Sequence, residues 1–197
     1  MKNSITLALL ISLAAVLPSC SGDSGNAPEP TPAAQAAAGA HNFRVPVWGM
    51  TIDEVVRVEG SEPKNRTPDK LNYETVIAGH GAFIDYKFVD GRLVRAGIIF
   101  PEVKENNDEY IQEYEHIKEL FTAQYGKPVV DSAKKTTAED IPDSEKGDAV
   151  CAGKLTYAAQ WNLSGTTARL VLSGQNSFCR TVLLYTPSNN GSNGPGL

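Results

Sequence analysis

The sequence predicts an α+β domain: an antiparallel sheet of about six strands covered on one face by two helices. Three observations lead there. A helix with a complete start signal lies at 51–60, and a longer amphipathic helix lies at 106–126. Each is followed by apolar-polar alternation broken at short intervals by Gly, Asn or Asp turns, as hairpin-linked strands require. The order is helix, three strands, helix, three strands, or two consecutive αβββ units. Each meander has one face to bury, and a helix supplies the cover.

The body of the domain opens with Phe43 to Trp48, a short extended apolar segment in which Pro46 excludes a central strand. Thr51 and Glu54 have the spacing of a capping box, in which each side chain satisfies a free backbone N–H. Met50 and Val55 flank that cap at staple positions, Ile52, Val55 and Val56 form the inward face, and Gly60 stops the helix. Residues 61–70 are polar and contain proline, which predicts a loop. Strands follow at 71–77, 82–89 and 92–100, joined by a turn at 78–81 and by Asp90-Gly91, a hairpin signal. Asn106 and Glu109 have a box-like spacing at the second helix start. Tyr110, Tyr114, Ile117 and Phe121 form its stripe. Glu113, Glu115 and Glu119 read as its solvated outer face, and Gly126 and Pro128 end it. Residues 127–148 are long, charged and without an apolar period, a connection of the functional or disordered kind. Strands at 154–161, 166–173 and 178–186 complete the second unit.

The ends differ from this body. Lys2 precedes an apolar run from Ile5 to Leu17, too short to span a bilayer as a mature helix and of the form of a secretory leader. Leu17-Pro18-Ser19-Cys20 resembles the lipobox of bacterial lipoproteins. That resemblance implies a signal peptide over 1–19, diacylglycerol on the Cys20 thiol and an acylated new amino terminus. The other reading is an ordinary secretory leader with Cys20 incidental. Ser21 is not the Asp that retains such proteins in the inner membrane, so the resemblance implies the periplasmic face of the outer membrane. Residues 20–40 form a linker of Ser, Gly, Pro and Ala. It has too little apolar surface to offset chain entropy, and it could reach on the order of 60 Å at ~3.1 Å per residue. The globular domain is expected over 41–187, with a frayed tail at 188–197.

Composition narrows the function. The chain has 197 residues and a formal net charge of -5. Its lysines and arginines are scattered along the sequence without a basic stripe, so nucleic acid is not an expected partner. With Cys20 assigned to the anchor, Cys151 and Cys179 remain, either a disulfide in an oxidising compartment or two buried thiols. A bridge would close a loop of about 28 residues and stabilise by ~3 kcal/mol. Neither cysteine belongs to a Cys-x-x-Cys pair.

His41, His80 and His116 lie far apart with no ligand spacing, so no metal and no cofactor are expected. His80, between two glycines, is a recognition residue in a loop or a turn residue with its ring in water. Trp48 and Trp161 are recognition anchors or core residues. There is no Gly-x-Ser-x-Gly elbow and no glycine-rich phosphate loop before a helix. The expectation is a protein that is not an enzyme, anchored to the membrane by lipid, with an envelope protein as partner.

Trp48-Gly49-Met50 with Glu54-Val55, Asp90-Gly91, and Tyr125-Gly126-Lys127-Pro128 resemble motifs of an uncharacterised family of bacterial exported lipoprotein domains. These motifs are caps, turns and core anchors, and the resemblance implies no activity. At the level of fold alone, a small tethered α+β domain is also similar to the small lipoprotein of the outer-membrane barrel-assembly machine and to β-lactamase-inhibitory proteins. The functional expectation is therefore a binding or envelope-assembly module, with a periplasmic inhibitor of a hydrolase as the alternative.

Overall fold

A computed structural model describes residues 47–188. The expected signal peptide, Cys20, the linker, residues 41–46 and the tail from 189 onward lie outside the described residues.

The chain runs α1 (Ile52–Glu59), β1 (Asn65–Thr67), β2 (Lys70–Ile77), β3 (His80–Val89), β4 (Arg92–Phe100), α2 (Asp108–Tyr125), β5 (Val130–Lys135), α3 (Lys146–Cys151), β6 (Leu155–Leu163), β7 (Thr166–Gln175) and β8 (Phe178–Pro187). A 3₁₀ turn, Asp143–Glu145, leads into α3. The strands form one antiparallel sheet of eight in the order β1-β2-β3-β4-β8-β7-β6-β5. The α+β class and the antiparallel sheet are as expected, but the described residues form eight strands and three helices rather than six and two. Each half contributes four strands, so the αβββ description is one strand short on both sides. The halves join edge to edge through β4 and β8, from Ala96 opposite Tyr185 to Phe100 opposite Thr181.

Local chemistry explains the elements that matched. Thr51 Oγ1 accepts from the Glu54 N–H while Glu54 Oε2 accepts from the Thr51 N–H at 2.7 Å, which completes the capping box. Gly60 ends α1 at φ 67°, in the left-handed region that favours glycine. At the β3–β4 hairpin, Asp90 and Gly91 both have positive φ, 49° and 71°, the geometry that matches strand twist. The α2 start differs from the expected box. Asn106 Oδ1 accepts from the Asp108 N–H at 2.9 Å, a local turn, and Asn107 makes no side-chain cap.

The missed elements lie in the two segments read as loops. β1 is a three-residue addition to β2, and β5 is exposed at all six positions, so neither shows alternation in the sequence. Within 127–148, Lys134 and Lys135 belong to β5, and α3 begins at Lys146. What remains as loop is 127–129 and the stretch from 136 to 142.

One continuous core lies between the sheet and the helices. α2 lays Tyr110, Tyr114, Ile117 and Phe121 onto it. α3 comes so close that two glycines are required. A Cβ at Gly174 of β7 would sit 2.4 Å from the Val150 carbonyl oxygen, and one at Gly147 would sit 2.5 Å from the Asn107 carbonyl carbon. Cys151 and Cys179 form a disulfide that ties α3 to β8, with Cα atoms 4.7 Å apart, inside the usual span. Among the described residues no helix is long and apolar enough to cross a membrane.

Candidate functional site

Since all the helices pack on one side, strand alternation decides what the other side presents. Register places Asn72, Asp85, Gly97, Leu184, Arg169 and Gln160 in one row across the uncovered face. The next row is Glu74, Phe83, Ile99, Val182, Val171 and Ala158. Its middle is apolar, and those side chains are only partly covered apart from the small Ala158. Around it stand Lys87 opposite Arg95, then Arg169, Arg180 and Lys134.

Among the described residues none of these five cations forms an ion pair, whereas Lys70 pairs with Asp85 at 3.5 Å and Lys64 pairs with Glu74. The strands therefore put Lys70, Lys87, Arg95, Lys134, Arg169 and Arg180 on this face against Glu74 and Asp85, a formal +4 on a chain of net -5. The scattered cations of the sequence are gathered by the sheet. Asp69, Lys70, Asp85, Lys87, Arg95 and Arg180 are the charged residues lining an open groove there, in which Gly97 leaves a notch beside Leu184.

A second cluster forms where α2 crosses the ends of β3 and β4. Glu113, expected on the solvated face of α2, is instead buried at 3% exposure. It sits three residues after Tyr110 and four before Ile117, in register with the apolar stripe, a signal the sequence did carry. Its Oε2 forms ion pairs with Lys104 Nζ at 2.9 Å and His80 Nδ1 at 3.4 Å, and its Oε1 has no partner. Lys104, from the loop after β4, also reaches Glu102 Oε2 at 2.7 Å. Burial pulls the Lys104 ammonium down, but its contacts with Glu102 and Glu113 outweigh that and hold it above the usual lysine value. The hydrogen bond and charge of Lys104 hold the exposed Glu102 carboxyl below the usual range.

The residues singled out from sequence fall as follows. His80 is the first residue of β3, neither an open loop residue nor a turn residue in water. Its side chain is 23% exposed, and its ring lies edge-on to Phe100 at 6.3 Å and to His116 at 5.7 Å. Two histidines far apart in sequence are thus neighbours, while His41 lies outside the described residues. Trp161 is a core residue at 1% exposure, not a surface anchor; its Nε1 donates to the Gly126 carbonyl at 2.9 Å. Trp48 is half-buried, and its Nε1 donates to Thr166 Oγ1 at 2.9 Å and to the Gly165 carbonyl at 3.1 Å, which ties the segment before α1 to the β6–β7 turn. Cys20 lies outside the described residues.

In comparisons with known proteins, no family profile, curated protein or solved structure gives a significant match to this chain.

Proposed function

We propose that the chain is a lipid-anchored, non-enzymatic binding module of the bacterial cell envelope, and that its uncovered sheet face docks an acidic surface on a partner protein. The lipobox resemblance at Cys20 supports the address, on the outer membrane facing the periplasm. The paired Cys151 and Cys179 accord with an oxidising compartment.

The charge of the sheet face carries the binding claim. With +4 on that face, the rest of the chain carries -9. Lys87 and Arg95 stand directly opposite each other, an arrangement that destabilises a sheet unless something neutralises it. An acidic partner with an apolar centre would cover Phe83, Ile99, Val182 and Val171 and satisfy the rim. Complementary charge of this kind speeds association and selects the partner more than it adds affinity.

Two measurements test this reading. Mass spectrometry of the mature chain is expected to find Cys20 as an acylated amino terminus; a retained leader or an unacylated start overturns the address. For the face, a photo-crosslinker at Val171 or Val182 is compared in cells with one at Glu119 on the helix side. The face positions are expected to yield a discrete adduct with an acidic envelope protein, and Glu119 none. The adduct should fall at least tenfold in R95E/R169E/R180E and weaken with added salt. Those three side chains are exposed, so the core is untouched. Equal adducts from both sides, or insensitivity to charge reversal, would overturn the docking claim. So would charge-dependent binding to anionic phospholipid vesicles without a protein adduct, which would make lipid the occupant.

A further inference from the structure

We propose that His80, Glu102 and Glu113 form a site for a divalent transition-metal ion of the zinc class, with Lys104 as the internal cation that the metal displaces. The site lies where α2 meets the start of β3 and the loop after β4, and it is independent of the docking face.

The donor set comes first. One imidazole nitrogen and two carboxylate oxygens, all within 4.8 Å of one another, converge on one point. Mixed nitrogen and oxygen donors suit zinc, and three protein ligands leave an open position. Tetrahedral bonds near 2.1 Å need donors on the order of 3.4 Å apart, so the group must close somewhat. Glu102 is more than half exposed on a loop and is free to make that movement, while His80 and Glu113 are held by β3 and α2. The exposed ring of His116, already beside His80, is placed to approach the open position.

The burial of Glu113 points the same way. A carboxylate almost fully removed from water is stable only when its charge and its lone pairs are both met. Here one ammonium serves two carboxylates, which leaves a formal charge of -1, and Glu113 Oε1 has no partner. A divalent ion would neutralise the pair and use the unpartnered oxygen. Lys104 would then move outward on its flexible stem. Its tie to Glu113 is an ion pair at 2.9 Å, which the divalent ion would replace.

The test is calorimetric titration of zinc chloride into the untagged full chain, with a thermal melt in zinc and in chelator. One ion per chain is expected, with a higher melting temperature in zinc. H80A is expected to weaken binding at least tenfold, and E113Q likewise if it folds. K104M, which removes the competing ammonium, should tighten binding by about tenfold. The absence of saturable binding by the unaltered chain, or affinity unchanged in H80A, would overturn the site. Weaker binding in K104M would overturn the role given to Lys104. H80A keeps the proposal falsifiable if changes at the buried glutamate unfold the chain, because His80, unlike Glu113, is partly exposed.

Discussion

Trp161→Ala is expected to destabilise the domain by about 3–5 kcal/mol, the range for truncating a large buried aromatic. Trp161 joins two elements from opposite sides of the core. Its ring meets Phe121 of α2 edge-on at 4.6 Å, and its Nε1 holds the carbonyl of Gly126, just past the end of that helix. Removing the indole leaves a cavity beneath α2 and strips a carbonyl of its donor, which adds on the order of 1 kcal/mol. A domain of this size has about 5–15 kcal/mol in total, so the variant should sit near the edge of folding. Trp161→Phe, which keeps most of the volume and loses the donor, should cost much less. Urea unfolding monitored by circular dichroism ranks the three proteins. An alanine variant within about 1 kcal/mol of the unaltered chain would show that the core does not depend on this residue.

The second large effect is expected at the disulfide. Cys151 and Cys179 close a loop of 28 residues that contains α3's exit and the β6–β7 hairpin. A crosslink of that span limits the unfolded chain and is worth about 3 kcal/mol in the chain-entropy account. C151A/C179A is expected to melt roughly 10 °C lower, given the usual relation between free energy and melting temperature for a domain of this length. Both sulfurs are buried, so reductant should act slowly on the native state and quickly once urea opens it. If the double variant melts within a degree or two of the unaltered chain, the crosslink contributes nothing measurable to stability.

How much of this was readable from the residues depended on whether a signal was local. α1 carried cap, stripe and stop within ten positions, and the structure reproduces each. The Asp90-Gly91 hairpin was equally self-contained. β5 was not readable because all of its residues face water, so nothing alternates; its partner β6 makes it a strand. α3 is six residues long and owes its position to Gly147, Gly174 and the disulfide, which are close only after folding. The basic face was hidden for a similar reason. Each of its six cations comes from a different strand, and only the register aligns them. Glu113 is the instructive case, since its place in the stripe of α2 was legible, yet its charge argued for the outside. Its proximity to His80 and Lys104 could not be foreseen, because those residues come from separate segments.

The two outermost strands have a further consequence. β1 is only three residues long, and β5 carries Asp131, Lys134 and Lys135 along an otherwise open rim. A neighbouring copy that tried to extend the sheet would find too short a template on one border and charged side chains to desolvate on the other. Short strands and lysines at such borders discourage strand-by-strand aggregation. The molecule can therefore keep a broad, partly apolar sheet surface in the open without polymerising through its borders.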